Sequence, residues 1–269
     1  MRYGLFLPPF DELADPHRLM DVAASAEAAG WDGMFLWDHL DYVPPVRQIL
    51  DPYTCLAAIA TVTSTMQIGP MITPLTRRRL AVLARQAATL DILSRGRLVL
   101  GLGLGDDADI GERSSFTEFA DDRARGRALS EGLETLTGLL SGREVTHSGE
   151  FYRVDGVTFE PVSRRLGGVP IWLAARWPHP APLRRAAKYQ GVVVIQLSEP
   201  DDVAKLRDQL LAEGADLDSY EIALWAGDLG STDAERWDRA GVTWVLRSAG
   251  PFDIRFDEVA RLVSEGPRR

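Results

Sequence analysis

Apolar positions along the chain fall into two kinds of run that take turns. Short, nearly unbroken apolar stretches stand at residues 3–7, 34–37, 68–72, 98–102, 169–175, 192–195, 221–225 and 244–247. Such runs read as strands buried on both faces, as in parallel sheets. Between them apolar residues return every three or four positions. Leu19, Val22, Ala23 and Ala26 make one such face, and Leu80, Leu83, Ala84, Ala87 and Leu90 another. That spacing is one side of a helix. Asp15-Pro16 and Asp51-Pro52 are N-caps followed by a proline that suits a first helical turn, and Thr232 with Glu235 is a capping box. Gly30, Gly142, Gly214 and Gly241 stand where helices end. Counted this way, the chain makes eight strand-then-helix units.

Strict alternation of this kind predicts a single (β/α)8 TIM barrel domain over residues 1–269, with a small β excursion at about 145–160. A doubly wound open sheet is the alternative, and it would call for a nucleotide fingerprint early in the chain. Gly101, Gly103 and Gly105 resemble one superficially. The third glycine of the fingerprint falls on Asp106 or Ala108, so the pattern is absent.

Composition narrows the function. With 269 residues, 45% apolar, the chain is long enough for a large core, and a net charge of −9 argues against nucleic acid and an anionic membrane surface. One cysteine, Cys55, excludes an internal disulfide framework, and the four histidines are too far apart for metal-ligand spacing. No apolar run approaches the ~20 residues that span a bilayer, and because the chain enters a strand-like run at once, no signal peptide is expected. A cytoplasmic protein is expected.

The chemistry is expected at the carboxyl ends of the strands. Asp38-His39 follows the second strand, where an imidazole would move a proton and a carboxylate would bond a polar ring edge. The glycines at 101, 103 and 105 offer bare backbone to a flat ligand. Arg176, with a proline-rich stretch and Arg184-Arg185 behind it, is a candidate anion site at a helix start. Arg77, Arg78 and Arg79 read as a solvated face. The polar stretch 106–125 reads as a loop over the site.

Taken in order, Gly33-Met34-Phe35-Leu36-Trp37-Asp38-His39, Thr73-Pro74 with arginines after it, Ser94-Arg95-Gly96-Arg97, Leu100-Gly101-Leu102-Gly103 and Arg176-Trp177-Pro178 resemble the bacterial luciferase-like flavin-dependent oxidoreductases over nearly the whole chain. The resemblance implies a barrel, a homodimer, and FMN or a deazaflavin (coenzyme F420) at the strand ends. It implies that Asp38 and His39 stand near the flavin, that Pro70-Met71 is a bulged, often cis, peptide pressing on the ring, that Gly101, Gly103 and Asp106 form the glycine loop, and that Ala174, Ala175 and Arg176 meet ribityl and phosphate. Two positions depart from the family pattern. Gln190 stands where an acid is frequent, and Ala174-Ala175 where Gly-Gly is common, so that two methyls would crowd a phosphate there.

The expected function is oxygenation of a small organic substrate by reduced FMN and O2. The alternative is F420-dependent hydride transfer, and the alternative of another class is a flavin-binding barrel without turnover. Schiff-base chemistry is disfavoured, because Lys188 and Lys205 both fall in predicted helices.

Overall fold

The computed structural model describes residues 1–105, 112, 121–226 and 234–267. Its parallel strands are β1 (Arg2–Leu7), β2 (Gly33–Leu36), β3 (Gln67–Pro70), β4 (Thr73–Pro74) and β5 (Leu100–Gly103). After the antiparallel pair β6 (Val145–Ser148) and β7 (Arg153–Val157) come β8 (Ile171–Arg176), β9 (Gly191–Ile195), β10 (Glu221–Trp225) and β11 (Trp244–Arg247). The helices are α1 (Pro16–Ala28), α2 (Pro52–Val62), α3 (Leu80–Leu93), α4 (Asp122–Leu140), α5 (Pro180–Ala186), α6 (Pro200–Ala212), α7 (Ala234–Ala240) and α8 (Phe256–Ser264).

The parallel segments run in the order β3-β2-β1-β11-β10-β9-β8-β5-β4. The sheet closes where Ile68 bridges Leu98 in parallel, with Val99 N–H donating to the Ile68 carbonyl at 2.9 Å. β3 and β4 are two halves of one stave, interrupted at Met71 and Ile72, so eight staves make the expected barrel. Gly69 permits the closure: a Cβ there would lie 1.9 Å from the Val99 carbonyl oxygen.

Inside the barrel, Phe35, Trp172 and Trp244 pack ring against ring, with centroids 5.6–5.8 Å apart. Met71, Val99, Val193, Ala223 and Leu246 complete this interior cluster. At the amino-terminal end, Arg2 lies 4.6 Å over Trp244 and ion-pairs with Glu221, which floors the barrel. The other strand face, including Leu5, Leu7, Leu36, Leu102 and Val194, packs under the helices.

The helix starts follow the sequence. Asp15 accepts from His17 N–H and Asp51 from Thr54 N–H. Asp121 caps α4, so residues 122–125 are helix rather than loop. Of the stretch 106–120 only Glu112 is described, and Thr232 also lies outside the described residues. The β6–β7 excursion is fastened to α4 by Glu131, which accepts from Tyr152 N–H at 2.8 Å and meets His147 Nε2 at 2.9 Å.

One expectation is overturned here. Arg184 and Arg185 lie in the last turn of α5, not its first. Arg184 reaches Glu213 (3.1 Å), and Arg185 donates to Ser130 Oγ (3.0 Å) and the Gly126 carbonyl. They cannot add charge to that helix's amino end.

Candidate active site

β2 ends at Leu36, and the next three residues enter the barrel mouth. Trp37 falls in phase with the inward-facing Gly33 and Phe35. Its ring lies 5.3 Å from Phe6 of β1. Asp38 falls on the opposite phase and is buried, only 1% exposed. Its Oδ2 accepts from Thr73 Oγ1 (2.6 Å), its Oδ1 from Arg78 (2.7 Å) and its carbonyl from Arg77 (2.6 Å). Asp38 is therefore a brace between β2 and β4, with both carboxylate oxygens engaged. It does not present them to a ring edge in the mouth, as the sequence reading expected.

His39 is positioned by Glu112, which follows β5. Its Nδ1 lies 3.1 Å from Glu112 Oε2. The same carboxylate accepts from the backbone N–H groups of Leu40 and Asp41 and ion-pairs with Arg77. A carboxylate can only accept, so the proton of a neutral His39 sits on Nδ1 and the Nε2 lone pair is left for other work. Among the described residues no hydrogen bond reaches Nε2. Burial works to raise the Glu112 carboxyl, but the bond to His39, the Arg77 charge and the Leu40 N–H outweigh it and hold the group below the usual carboxylate range.

Arg77 and Arg78 are not a solvated face. Their side chains are 6% and 18% exposed. Arg78 also reaches Asp51 (3.4 Å) and lies 4.7 Å over the Tyr53 ring. Burial would weaken its charge, yet the Asp38 carboxylate more than offsets that and raises it. Burial, with Asp38 adding to it, pushes the Tyr53 hydroxyl far above the usual phenol range. Three carboxylates (Asp38, Glu112 and Asp51) thus absorb two guanidinium groups.

The remaining expected residues divide by face. Gly101 and Gly103 point inward, but protein already fills the space beside them. A Cβ on Gly101 would meet the Pro70 carbonyl at 2.6 Å, and one on Gly103 the Ile72 side chain at 2.7 Å and Ala174 at 3.0 Å. These glycines admit the β3–β4 break rather than leaving bare backbone for a ligand. The cis bond falls between Met71 and Ile72, one residue beyond Pro70-Met71. Met71 is buried in the interior cluster, while Ile72 is partly exposed. Ala174 directs its methyl inward against Gly103. Ala175 is packed in the outer core. Only the first of the two methyls is at the mouth, so the expected crowding of a phosphate by both does not arise. Gln190 accepts from Ile171 N–H through Oε1 (3.0 Å), a backbone role at the start of β8. Arg176 ends β8, exposed at the mouth. Asp106 lies outside the described residues.

The sequence reading missed Thr73, Tyr53 and Glu112 as site residues, and it weighed Arg77 and Arg78 as a solvated face or as partners of an acidic cofactor tail rather than as partners of Asp38 and Glu112. The arginines carried a signal, since they follow a strand end, where barrel chemistry gathers. Glu112 carried none, standing in an acidic, aperiodic stretch.

Comparison with known proteins returns the same barrel. The chain matches the luciferase-like monooxygenase family over residues 1–259, and it belongs to that family. An F420-dependent glucose-6-phosphate dehydrogenase of Kineococcus radiotolerans is 32% identical over 170 residues, 61% of this chain and 48% of that one. The chain thus spans about half the length of that curated relative. Among solved structures, an F420-dependent secondary alcohol dehydrogenase in complex with an F420-acetone adduct superposes with a TM-score of 0.80 at 18% identity, covering 99% of this chain and 98% of that one. The monooxygenase RslO1 from Streptomyces bottropensis gives 0.76 at 22% identity, covering 98% and 96%. These two share the fold. No helix among the described residues is long and apolar enough to cross a membrane.

Proposed function

We propose that the chain is an F420-dependent oxidoreductase that moves a hydride between the deazaflavin and a small organic substrate. The observation that carries this is the 170-residue likeness to an F420-dependent dehydrogenase. It favours hydride transfer over the FMN oxygenase that heads the expectations from sequence. FMN remains the second reading, supported by the description of the family model.

The mouth suits a ring of this kind. Phe6, Ile72, Ala174 and Ile195 present partly exposed apolar surface, and Trp37 Nε1 is a buried donor without an acceptor among the described residues. A flat ring with apolar faces and a polar edge matches such a surface. When bound, the deazaflavin supplies a two-electron hydride acceptor or donor. The chain's own part is proton handling and orientation. His39 Nε2 takes a proton from a substrate hydroxyl in one direction and returns it in the other. Glu112 holds the ring through Nδ1. Asp38, Arg77, Arg78 and Thr73 fix the loop that carries His39.

Equilibrium titration of the purified protein with F420 and, separately, with FMN, followed by fluorescence quenching, tests the reading. Binding of F420 at least tenfold tighter than FMN is expected. Tighter binding of FMN would transfer the proposal to oxygen chemistry. Binding of either without turnover of any alcohol or ketone would favour a carrier barrel.

A further inference from the structure

We propose that Asp11 is a positioning residue of the mouth: its carboxylate and its left-handed backbone pin the far end of the loop that carries His39 and Tyr42. The proposal rests on the mouth being the ligand site of the hydride-transfer reading. The loop runs from Asp38 to Leu50. Its near end is held by the hydrogen bonds of Asp38 and by Glu112. Its far end is held by the strap between β1 and α1. Asp11 Oδ1 accepts from the Arg47 and Gln48 N–H groups at 3.0 Å each, and Asp11 N–H donates to the Gln48 carbonyl at 3.0 Å. Phe10 bridges Ile49, and Leu50 N–H donates to the Pro9 carbonyl at 3.1 Å.

The backbone of Asp11 shows that this clasp is more than a turn. Its φ is +44°, a region that glycine enters freely and other residues rarely. Glycine would make the turn without strain. Aspartate adds an oxygen for two N–H groups 36 and 37 positions on. Strain of this kind persists where the surroundings over-determine it, and it clusters at functional sites. The rings that the clasp aligns stand beside His39. Phe10 is wholly buried, with its ring 6.0 Å from His39 and 5.2 Å from Tyr42. Tyr42 stands edge-on to the imidazole at 5.1 Å and meets Phe252 at 5.9 Å. Glu12 accepts from Phe256 N–H at 2.8 Å, so the strap also fastens the segment that carries Phe252. Glu112 holds the imidazole through one nitrogen, and the rings aligned by Asp11 hold it from the sides.

The test compares wild type with Asp11→Gly and Asp11→Asn. Glycine keeps the turn and drops the acceptor. Asparagine keeps an acceptor oxygen and tolerates the left-handed region. Proton–carbon NMR of the histidine rings, with His39 assigned from His39→Gln, reads the imidazole, whose signals three neighbouring aromatic rings displace. Fluorescence titration with F420 reads the site. In Asp11→Gly the His39 signals are expected to move towards those of an exposed histidine, and F420 affinity to fall about tenfold. In Asp11→Asn both stay near wild type. A merely structural role would lower stability and leave both readouts of the folded protein in place. Either readout unchanged in folded Asp11→Gly overturns the proposal, as does an Asp11→Asn protein that behaves like Asp11→Gly. Should Asp11→Gly fail to fold, Asp11→Ser, with an oxygen too short to reach both N–H groups, is read in the same way. F420 that binds none of the proteins, wild type included, defeats the cofactor reading and leaves the His39 signals to decide on Asp11.

Discussion

Thr73 has one proton to give and two neighbours. It donates to Asp38 Oδ2, so the hydrogen bond with Tyr53, 2.9 Å away, has the tyrosine as donor. Thr73→Val removes an acceptor and a donor at once and leaves two buried groups unpaired. It is expected to destabilise the protein by about 2 kcal/mol, whereas Thr73→Ser stays near wild type; urea denaturation reads the difference. Glu112 is the second such residue. Glu112→Ala strips Arg77 of an enclosed carboxylate partner and is expected to cost about 3 kcal/mol. Glu112→Gln keeps the shape but not the charge opposite Arg77 and is expected to cost less than Glu112→Ala; urea denaturation of the two variants reads the difference, and equal losses would show that the retained amide does nothing for Arg77. Asp38 and His39 were legible because they follow an apolar run that ends a strand. Their roles were not. Which of two adjacent side chains enters the mouth depends on strand phase, and Asp38 lies on the buried phase with its oxygens consumed by residues 35 to 40 positions away.

The elements are held by side chains that satisfy the loose ends of helices and strands. Arg97 is 8% exposed and donates to the carbonyls of Ala60, Thr63, Met66 and Ser94, collecting acceptors from the end of α2 to the turn after α3. Glu27 does the converse, accepting from the backbone N–H groups of Ser64, Thr65 and Met66. Burial tends to raise its pKa, but these donors win and bring it down to about 2 from 4.5. A depressed carboxyl stabilises the fold above its unfolded pKa and loses that contribution as pH falls. The stability advantage of wild type over Glu27→Gln is therefore expected to be complete above pH 4.5, to shrink below it and to vanish near 2. Urea titrations at a series of pH values read it, and a difference constant down to pH 3 would refute the assignment. Gly69 is the corresponding backbone case. Gly69→Ala drives a methyl into the Val99 carbonyl and parts β3 from β5, for a loss of about 3 kcal/mol or more in denaturation midpoint analysis. The sequence showed an unbroken apolar run at 68–72. The interruption of this stave at Met71 and Ile72 was placed one residue early, because the packing of Ile72 against Gly103 is a contact between strands, invisible to local pattern.

Across the whole molecule the alternation of strand and helix was legible, because parallel strands buried on both faces and amphipathic helices have distinct periods. Site assembly was not, since it draws on the ends of β2 and β4, the start of α2 and Glu112, which no local spacing joins. The same assembly makes a global prediction. A ligand that binds the folded barrel alone raises its stability by about 2.7 kcal/mol at a hundredfold excess over its dissociation constant. F420 is expected to raise the melting temperature by several degrees at such excess, and FMN by less at equal concentration.

The floor of the barrel has a kinetic consequence. Phe35, Trp172 and Trp244, with Arg2 and Glu221 beneath them, plug the barrel at its amino-terminal end, so a ligand can approach the strand ends only from the opposite side. With one approach, the cofactor and substrate of the proposed hydride transfer are expected to bind in a fixed order. Product inhibition reads it: competitive inhibition against the first ligand and noncompetitive inhibition against the second are the expected result, and random-order kinetics would refute it.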